Sequence, residues 1–436
     1  MNEAAADVAV IGAGAAGLAA AHILCREGLR VEVLEARERI GGRLLPVGDP
    51  VLPVAVDLGG EFIHGSAPET FALLREAGTV AVDTVPSALA FVDGELRERD
   101  DPFDRTAHVL ARAAMLREDV PVATFARDLD ADIRRDLLMM VRGFDAADPA
   151  RASTLALAAE WSDDVNGQTA RQFRPLGGYA CVLRAMHDRL DPACVRVRLG
   201  APVRSIARDA GGVTVALNGS GGEAALRVRA AVVTVPIGVL QSGGLQFQPP
   251  LPAATQDALG RLVMGPVVKL ALRFRTAFWE RSGDGRARDI AFFQRAGAHF
   301  PTFWTLLPLR APILIAWAGG PDADALAAYD AGARVRLALD DLRTLFGPGC
   351  DPHGELEAAY QHDWQSDPYA RGAYSYLASG GMGARETLAR PIDATLFFAG
   401  EATAEASEAG TVAGALRSGE RAAREAIAAL RIRRAS

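Results

Sequence analysis

The first 35 residues show the clearest hydrophobic patterning of the chain. An apolar run at 8–11 predicts a buried strand, an alanine-rich stretch to about Arg26 predicts a helix, and a run at 30–34 predicts a second strand. This order is typical of two parallel strands joined by a crossover helix. Further strands are predicted at 195–203, 212–217, 226–235, 267–274, 313–318 and 395–399, and further helices at 70–77, 107–116, 133–141, 178–189 and 410–431.

The turn after the first strand contains the spaced glycines Gly12, Gly14 and Gly17. Glycines at this spacing let the backbone approach a pyrophosphate, whose charge is stabilised by the N-terminus of the following helix. The second strand ends at Glu35, 18 residues after the last of these glycines, where an acid can accept a ribose hydroxyl. The strand, the helix and the acid together predict a dinucleotide site, which both NAD and FAD would fit.

The distribution of the predicted elements indicates a discontinuous α/β (α+β) fold. The strands between 195 and 235, with a glycine-rich turn at 219–222, predict a small meander. We expect a Rossmann-type nucleotide-binding domain into which a substrate domain of mixed sheet and helices is inserted. The predicted limits are 1–75, 190–262 and 385–436 for the nucleotide-binding domain, and 76–189 and 263–384 for the substrate-binding domain.

Charge and cysteine content exclude several classes of protein. The 436 residues have a net charge of -7 without a separate Lys/Arg stripe, so we expect no nucleic-acid partner. The four cysteines lie far apart without a CxxC pair, which predicts neither a metal site nor a disulfide framework and favours a cytoplasmic location. The apolar segment 8–25 contains glycines and His22 and follows acidic residues, so we predict neither an export signal nor a membrane span.

The basic residues are very unevenly divided between the two types. Of the 47 Lys and Arg residues, Lys269 is the only lysine. A chain that replaces lysine by arginine wherever this is tolerated has kept one, and lysine differs in being a compact charge that can lose its proton when desolvated. Lys269 is therefore a candidate for proton-transfer chemistry, with chance retention as the alternative.

Motifs near both ends of the chain indicate a long cofactor. Gly42 and Arg43 follow Glu35 closely, and Gly400 and Glu401 precede the C-terminal helix. With these motifs the sequence resembles the flavin-dependent amine oxidase family, which includes monoamine oxidases, polyamine oxidases and lysine-specific histone demethylases; polyamine oxidases are closest in motif. The resemblance is carried by six collinear segments: VLEARERIGGRL (33–44), DLGGEFIHG (57–65), AVVTVPIGVL (231–240), MGPVVK (264–269), WQSDPYARGAYSY (364–376) and FAGEATAEASEAGTVAGALRSGERAA (398–423).

The resemblance implies FAD as the cofactor and names the residues that bind it. Arg37 would lie near the adenine and Arg43 near the pyrophosphate, with solvated arginines as the alternative reading. Ala373 stands where monoamine oxidases carry the cysteine bonded to flavin, so the FAD is expected to be non-covalent. Glu61, Phe62 and Val203 would make main-chain contacts, and Thr411 and Val412 would start a helix beneath the flavin. The implied cofactor residues are Gly12, Gly14, Gly17, Glu35, Arg37, Gly42, Arg43, Gly60, Glu61, Phe62, Val203, Gly400, Glu401, Thr411 and Val412.

The resemblance also implies the residues around the reacting carbon. Lys269 falls on the lysine that meets flavin N5 through a water, and Tyr374 matches one of two aromatic walls beside the amine; the other wall position is Thr411. His64 would contact the substrate or be a structural histidine. Trp364 would extend the aromatic surface or belong to the core.

The implied reaction is the oxidation of a small amine. A hydride leaves the carbon next to the neutral nitrogen for flavin N5, water hydrolyses the imine to an aldehyde, and dioxygen is reduced to hydrogen peroxide. Open alternatives are a monoamine oxidase, an L-amino acid oxidase in which an arginine such as Arg174 faces the carboxylate, and a redox-silent flavoprotein scaffold; either a monomer or a homodimer is expected. A polyamine or diamine is favoured because a second positive charge could be attracted by Glu61, Glu69, Glu160, Asp163 or Asp164.

Overall fold

A five-stranded parallel sheet forms the central layer of the nucleotide-binding part. The computed structural model describes residues 6–84, 87–98, 102–161, 171–217, 224–282 and 285–435. All four strand pairings of this sheet are parallel, and its central strand is fully buried, as expected for a sheet covered on both faces. From edge to edge the strands are Leu396–Phe398 (β21), Ala230–Val233 (β12), Val8–Ile11 (β1), Val31–Leu34 (β2) and Val195–Arg198 (β8).

A second sheet lies beside it, and three more sheets are present in the described parts of the chain. The second sheet contains Ala224–Val228 (β11), Gly212–Leu217 (β10), Val203–Asp209 (β9) and Gln246–Gln248 (β13). The largest sheet has seven strands, in the order Leu356–Gln361 (β19), Val267–Phe274 (β15), Ile313–Gly319 (β18), Thr302–Trp304 (β17), Phe292–Gln294 (β16), Ala88–Val92 (β5) and Glu95–Glu98 (β6). Two small sheets pair Leu262–Gly265 (β14) with Tyr374–Leu377 (β20), and Ile63–His64 (β3) with Gln172–Pro175 (β7) and Ala81–Asp83 (β4).

Helices cover the sheets, and two of them connect the ends of the chain. The first helix packs against the C-terminal helix, and Gly419 permits this close approach, because a Cβ there would lie 2.2 Å from the carbonyl oxygen of Ala16. The helices are Ala15–Arg26 (α1), Pro68–Glu76 (α2), Pro102–Ala111 (α3), Val122–Phe125 (α4), Ala131–Gly143 (α5), Thr154–Glu160 (α6), Tyr179–Asp188 (α7), Ile237–Gln241 (α8), Ala253–Arg261 (α9), Pro321–Leu326 (α10), Ala331–Phe346 (α11), Pro352–Glu355 (α12), Ala384–Ala389 (α13) and Val412–Ala435 (α14).

Most predicted elements are confirmed, but two predicted strands are wrong as single strands. The run at 195–203 is divided between β8 and β9, because Gly200 has a φ of +60° and turns the chain from one sheet into the other. The run at 226–235 is likewise divided between β11 and β12, which belong to different sheets. The predicted meander is confirmed by the antiparallel pairing of β9, β10 and β11, whereas its turn at 219–222 lies outside the described residues.

The sheets draw on the two sets of predicted domain segments unequally. All strands of the parallel sheet and of the β9 sheet come from the predicted nucleotide-binding segments, and all strands of the seven-stranded sheet come from the inserted ones. The small sheet of β3, β7 and β4 combines both. The α/β (α+β) class with an inserted mixed sheet is confirmed, and the domain limits stay a prediction.

Candidate active site

A cavity of about 1260 Å³ begins at the carboxyl ends of β1 and β2 and extends to the seven-stranded sheet. This volume exceeds the 300–1,000 Å³ typical of sites for drug-sized ligands, so it has room for a dinucleotide and a second small molecule. Both ends of the chain and both lobes contribute to its walls. Of the predicted site residues, those lining it are Gly12, Gly14, Glu35, Arg37, Gly42, Arg43, Gly60, Glu61, Phe62, His64, Val203, Lys269, Trp364, Tyr374, Gly400, Glu401, Thr411 and Val412.

Gly17 is the one predicted cofactor residue that does not line the cavity. A Cβ at Gly17 would lie 1.9 Å from the carbonyl oxygen of Gly12, so this glycine lets α1 pack against the turn that follows β1. Gly17 therefore serves the packing of the helix on the strand, and its contact with the cofactor stays a prediction. Gly14 is different, because a Cβ there would make only ordinary contacts, 3.9 Å from the carbonyl oxygen of Gly41 and 4.0 Å from the Cα of Gly42.

The nucleotide end of the cavity combines a helix N-terminus with a buried acid. The first turn of α1 carries no acidic side chain, which leaves its positive end available to an anion. The Glu35 carboxylate is held in place by the backbone amides of Ala13 at 2.8 Å and Arg37 at 2.9 Å. Each carboxylate oxygen keeps capacity for another donor, such as a ribose hydroxyl.

Arg37 and Arg43 tie this end to the C-terminal motifs. Arg37 Nη2 donates to Asp367 Oδ2 at 2.8 Å, and Arg43 Nη1 donates to Glu401 Oε1 at 2.8 Å. Burial raises the pKa of Glu401, but Arg43 and Arg385 outweigh it and hold that pKa below its usual value. Neither arginine is a freely solvated side chain, so that alternative is wrong for both.

Thr411 caps the helix that begins beneath the cavity. Its Oγ1 accepts a hydrogen bond from the backbone amide of Gly414 at 3.0 Å, which satisfies one of the unpaired amides at the start of α14. The helix begins at Val412, and both residues line the cavity. The predicted helix start is confirmed, and its positive end is directed at the cavity.

Lys269 lies in a buried charge cluster, which we call the Glu61 cluster and define as Glu61, Lys269, Arg174 and Trp304. Lys269 is 2% exposed, and its Nζ lies 2.7 Å from Glu61 Oε2. The other oxygen of Glu61 accepts from Arg174 Nε at 2.7 Å and from Trp304 Nε1 at 3.1 Å. Burial raises the pKa of Glu61, but Lys269 and Arg174 outweigh it and keep that pKa low, so Glu61 is a carboxylate. From the sequence, Glu61 was expected to make main-chain contacts with the flavin or to attract a second positive charge of the substrate, and its bond to Lys269 was not foreseen.

The environment of Arg174 excludes this side chain as the arginine that would face a substrate carboxylate. Beyond Glu61, its guanidinium donates to the carbonyl oxygens of Leu307 at 3.0 Å and Thr305 at 3.2 Å, and it does not line the cavity. It also lies over the ring of Phe62, 4.5 Å from the centroid. Arg174 is therefore not available to a substrate carboxylate.

Tyr374 presents its ring to the cavity from the start of β20. Its hydroxyl donates to the carbonyl oxygen of Phe144 at 2.5 Å, and burial raises the pKa of that hydroxyl further above its usual value. The ring lies against Gly410, where a Cβ would come within 3.3 Å of Tyr374 Cδ2. The absence of a side chain at Gly410 thus leaves room for the ring.

His64 and Trp364 are both on the cavity wall but differ in what holds them. Burial lowers the pKa of His64 to about 4, so the imidazole is neutral at physiological pH. Trp364 donates from Nε1 to the carbonyl oxygen of Leu58 at 3.0 Å and is 3% exposed, so it combines a core position with an edge on the cavity.

Sequence reasoning missed an aromatic wall at the substrate end of the cavity. The rings of this wall follow one another with centroids 5.5–6.5 Å apart, and they come from elements far apart in sequence. Three of them lie on the short strands β16, β17 and β18, one on each strand, so no local pattern in the sequence marks the wall. The wall consists of Phe62, His64, Phe144, Trp161, Phe292, Trp304 and Trp317.

The acids that favoured a polyamine have cation partners or lie elsewhere. Glu61 is paired as described, and Glu160 lies 3.2 Å from Arg385. Glu69 pairs with Arg417 at 2.9 Å and does not line the cavity. Asp163 and Asp164 lie outside the described residues.

Solved amine oxidases have a similar fold. The structure of putrescine oxidase described as wild type bound to putrescine superposes with a TM-score of 0.81, at 24% identity, over 98% of this chain and 99% of that one. Cyclohexylamine oxidase from Brevibacterium oxydans IH-35A gives 0.81 at 24% identity over 98% and 100%. At this identity the likeness shows the fold alone.

Sequence comparison decides the family. The family model described as "flavin containing amine oxidoreductase" matches residues 83–427. The model described as "NAD(P)-binding Rossmann-like domain" matches residues 10–77. The chain belongs to the flavin-containing amine oxidoreductases. As a member of this family it is an oxidoreductase with a flavin cofactor, which confirms the resemblance seen in the sequence.

Relatives of this flavin amine oxidoreductase include two functional groups. Lysine-specific histone demethylase 1 homolog 2 of Oryza sativa subsp. japonica is 30% identical over 96% of this chain and 56% of its own length. Polyamine oxidase 4 of the same organism is 27% identical over 96% of this chain and 88% of its own length. The chain spans only about a third to a half of the demethylases it matches. Within the described ranges of this oxidoreductase, none of the helices has the length and apolarity needed to cross a bilayer.

Proposed function

We propose that this protein is an amine oxidase with non-covalently bound FAD, which oxidises the carbon next to an amine nitrogen and passes the electrons to dioxygen. The observation that carries the proposal is the position of Lys269. The only lysine of the chain is 2% exposed and lies on the wall of a cavity that also contains the glycine turn and an aromatic surface. The products would be an imine, hydrolysed to an aldehyde, and hydrogen peroxide.

The residues at the nucleotide end fit FAD. The turn at Gly14, which lines the cavity, and the start of α1 would receive the pyrophosphate, and Glu35 the adenosine ribose. The start of α14 at Thr411 would face the ring system, where a positive helix end favours the negative charge of reduced flavin. None of the four cysteines lines the cavity, which supports a non-covalent cofactor.

The protein's own contribution would be to dehydrate and orient the amine. FAD, when bound, supplies the acceptor for the hydride. The aromatic wall and the neutral His64 surround the substrate with apolar surface, which favours the uncharged amine from which a hydride can leave. The ring of Tyr374, fixed by its hydrogen bond to Phe144, would position the nitrogen.

The geometry supports best an amine that carries one nitrogen and a bulky apolar group. Seven rings line the substrate end, and the described acids at first expected to attract a second ammonium are paired or lie away from it. A polyamine or diamine is the second candidate. It is favoured by Asp145, whose carboxylate lines the cavity and, together with burial, raises the pKa of Tyr374. The names of the polyamine and putrescine oxidases among the similar proteins point the same way.

The alternatives from the sequence have less support. An L-amino acid oxidase would need an arginine near the reacting carbon. Arg174 is committed to Glu61 and two carbonyl oxygens, which leaves Arg171, Arg371 and Arg417 on the cavity wall as candidates for that role. A redox-silent scaffold would not require a lysine and an aromatic wall in one cavity. The cytoplasmic location and a monomer or homodimer stay expectations from the sequence.

The deciding experiment is anaerobic mixing of the yellow protein with single amines while the flavin absorbance is followed. The panel contains cyclohexylamine, benzylamine and tyramine, then putrescine, spermidine and spermine, then amino acids; hydrogen peroxide is measured after air is admitted. Bleaching by the first group supports an apolar monoamine as the substrate. Bleaching by the second group supports a polyamine or diamine as the substrate. Lys269→Met should slow turnover by about 100-fold or more if the lysine acts at the reacting centre. A flavin that no amine bleaches would refute the proposal.

A further inference from the structure

The Glu61 cluster contains a carboxylate for which the reaction proposed above has no use. Glu61 is 8% exposed and 2.7 Å from the only lysine, and both residues line the cavity. A carboxylate this deeply buried costs free energy unless its oxygens are satisfied. Here both oxygens are satisfied, by three different side chains. Three side chains are therefore arranged around Glu61, and this arrangement indicates that Glu61 has a function in the cavity.

We propose that Glu61 is a positioning residue that holds Lys269 as a fixed ammonium ion on the cavity wall, so that Lys269 acts there as a permanent positive charge and hydrogen-bond donor and not as a base. The inference rests on the proposed function only for the reaction on which this charge acts.

The donor geometry at Nζ supports an ammonium. A protonated lysine has three N–H donors and no acceptor. Two acceptors are provided by the protein, Glu61 Oε2 at 2.7 Å and the carbonyl oxygen of Gly59 at 3.2 Å. Two N–H groups are thereby directed into the wall, and the third is left for a water or ligand in the cavity. A base would instead have to present a lone pair there.

Glu61 can hold the lysine because it is itself fixed. Arg174 and Trp304 bind its other oxygen, and Arg174 is anchored by the carbonyl oxygens of Leu307 and Thr305. A bond between a charged donor and a charged acceptor at this distance is among the stronger ones in proteins. The carboxylate therefore has little freedom to turn away from Lys269.

The charges of the cluster explain what removal of Glu61 would do. With Glu61 ionised, the cluster has two cations and one anion and thus one net positive charge. Without the carboxylate, the two desolvated cations would lose the anion that both of them bind. The nearby Asp57 is a weak replacement, because burial raises its pKa to about 7, and arginine does not lose its proton in proteins. The repulsion between the two cations would favour loss of the proton of Lys269, and we expect this loss at a lower pH than in the wild type. Glu61 thus decides the charge state of the lysine.

Because the chain has one lysine, its charge can be read directly in the wild type. Labelling with ¹⁵N-lysine yields a single ε-nitrogen resonance for the FAD-loaded protein. We expect the ammonium resonance to persist from about pH 6 to about pH 9, the range in which a desolvated, unpaired lysine titrates. Loss of the proton within this range would overturn the proposal, and this result does not depend on any variant folding.

Variants then test whether Glu61 is responsible. In Glu61→Gln we expect the lysine resonance to titrate within that range, and the reduction potential of the bound flavin to gain a step at the same pH. Glu61→Asp, which keeps the charge, should restore the wild-type behaviour in part. The control is Glu280→Gln, a carboxylate paired with Arg310 away from the cavity, which should behave as the wild type.

The measurements separate this inference from the proposed function. Resonance and potential need no amine, so a flavin that no amine reduces would refute the function and leave the role of Glu61 to be decided by these data. If amines do reduce it, reduction in Glu61→Gln should slow at least about tenfold from pH 6 to pH 9 relative to the wild type, the change expected for about one pH unit of titration. A Glu61→Gln protein with wild-type resonance and potential would overturn the proposal.

Discussion

Asp57 links the stability of this protein to pH in an unusual direction. It lies behind the Glu61 cluster, is 4% exposed, and accepts a hydrogen bond from the backbone amide of Tyr179 at 3.0 Å through Oδ2. Its Oδ1 has no hydrogen-bond partner among the described residues. Burial raises the pKa of Asp57 from 3.8 to about 7, and the charge of Glu61 adds to this, although the Tyr179 amide and Lys269 act against it.

The perturbation is Asp57→Asn, which has nearly the same shape but cannot ionise. Between about pH 4 and pH 7 the unfolded chain releases the proton of Asp57 while the folded chain keeps it, so the folded state binds more protons. The stabilisation is thus fully present below the unfolded pKa and is lost as the pH rises through about 7. A pKa raised from 3.8 to about 7 corresponds to about 4 kcal/mol at most.

The assay is urea unfolding of the wild type and Asp57→Asn at about pH 5 and about pH 8, with equal flavin loading. We expect the free energy of unfolding of Asp57→Asn, relative to the wild type, to increase by about 2–3 kcal/mol between the two pH values, because about two of the pH units over which the stabilisation is lost lie above pH 5. Asp209→Asn is the control, because Arg227 lowers the pKa of Asp209 to about 2 and the relative stability of that variant should not rise with pH. Equal pH dependence of Asp57→Asn and the wild type would refute the reasoning.

Three other substitutions test neighbouring parts of the site. Arg385→Met removes a cation that is 3% exposed and lies 3.2 Å from the half-buried Glu160, and it should lower the free energy of unfolding by about 1–3 kcal/mol in urea; a loss below about 0.5 kcal/mol would contradict this. Gly410→Ala should cost about 1–2 kcal/mol, because the φ of +72° is left-handed, and should raise the KM of the amine by pushing on Tyr374; an unchanged KM speaks against that contact. Thr411→Val removes the cap of α14 and should lower the free energy of unfolding in urea by about 1 kcal/mol, and no change would show that the cap is replaced by water.

The parts of the fold that the sequence predicted well depend on local patterns. The order of β1, α1 and β2, the glycines of the turn and the acid at Glu35 all lie within 30 residues, so their periodicity and spacing define the structure. Lys269 was also found from the sequence, because the single occurrence of a residue type can be recognised without knowledge of its tertiary contacts. The boundary between β8 and β9 was missed because it depends on one positive φ at Gly200.

What only the tertiary structure decided is which side chains meet across the lobes. The bond between Lys269 and Glu61 joins residues 208 positions apart, and the ring of Trp304 reaches the same carboxylate from a third segment. No local pattern encodes such contacts, since they arise when separate sheets pack together. From the sequence alone one could predict a nucleotide-binding fold, a flavin cofactor and Lys269 as a candidate functional residue. The charge on that lysine and the aromatic character of its cavity follow from packing, because burial and paired charges exist only once the distant segments have come together.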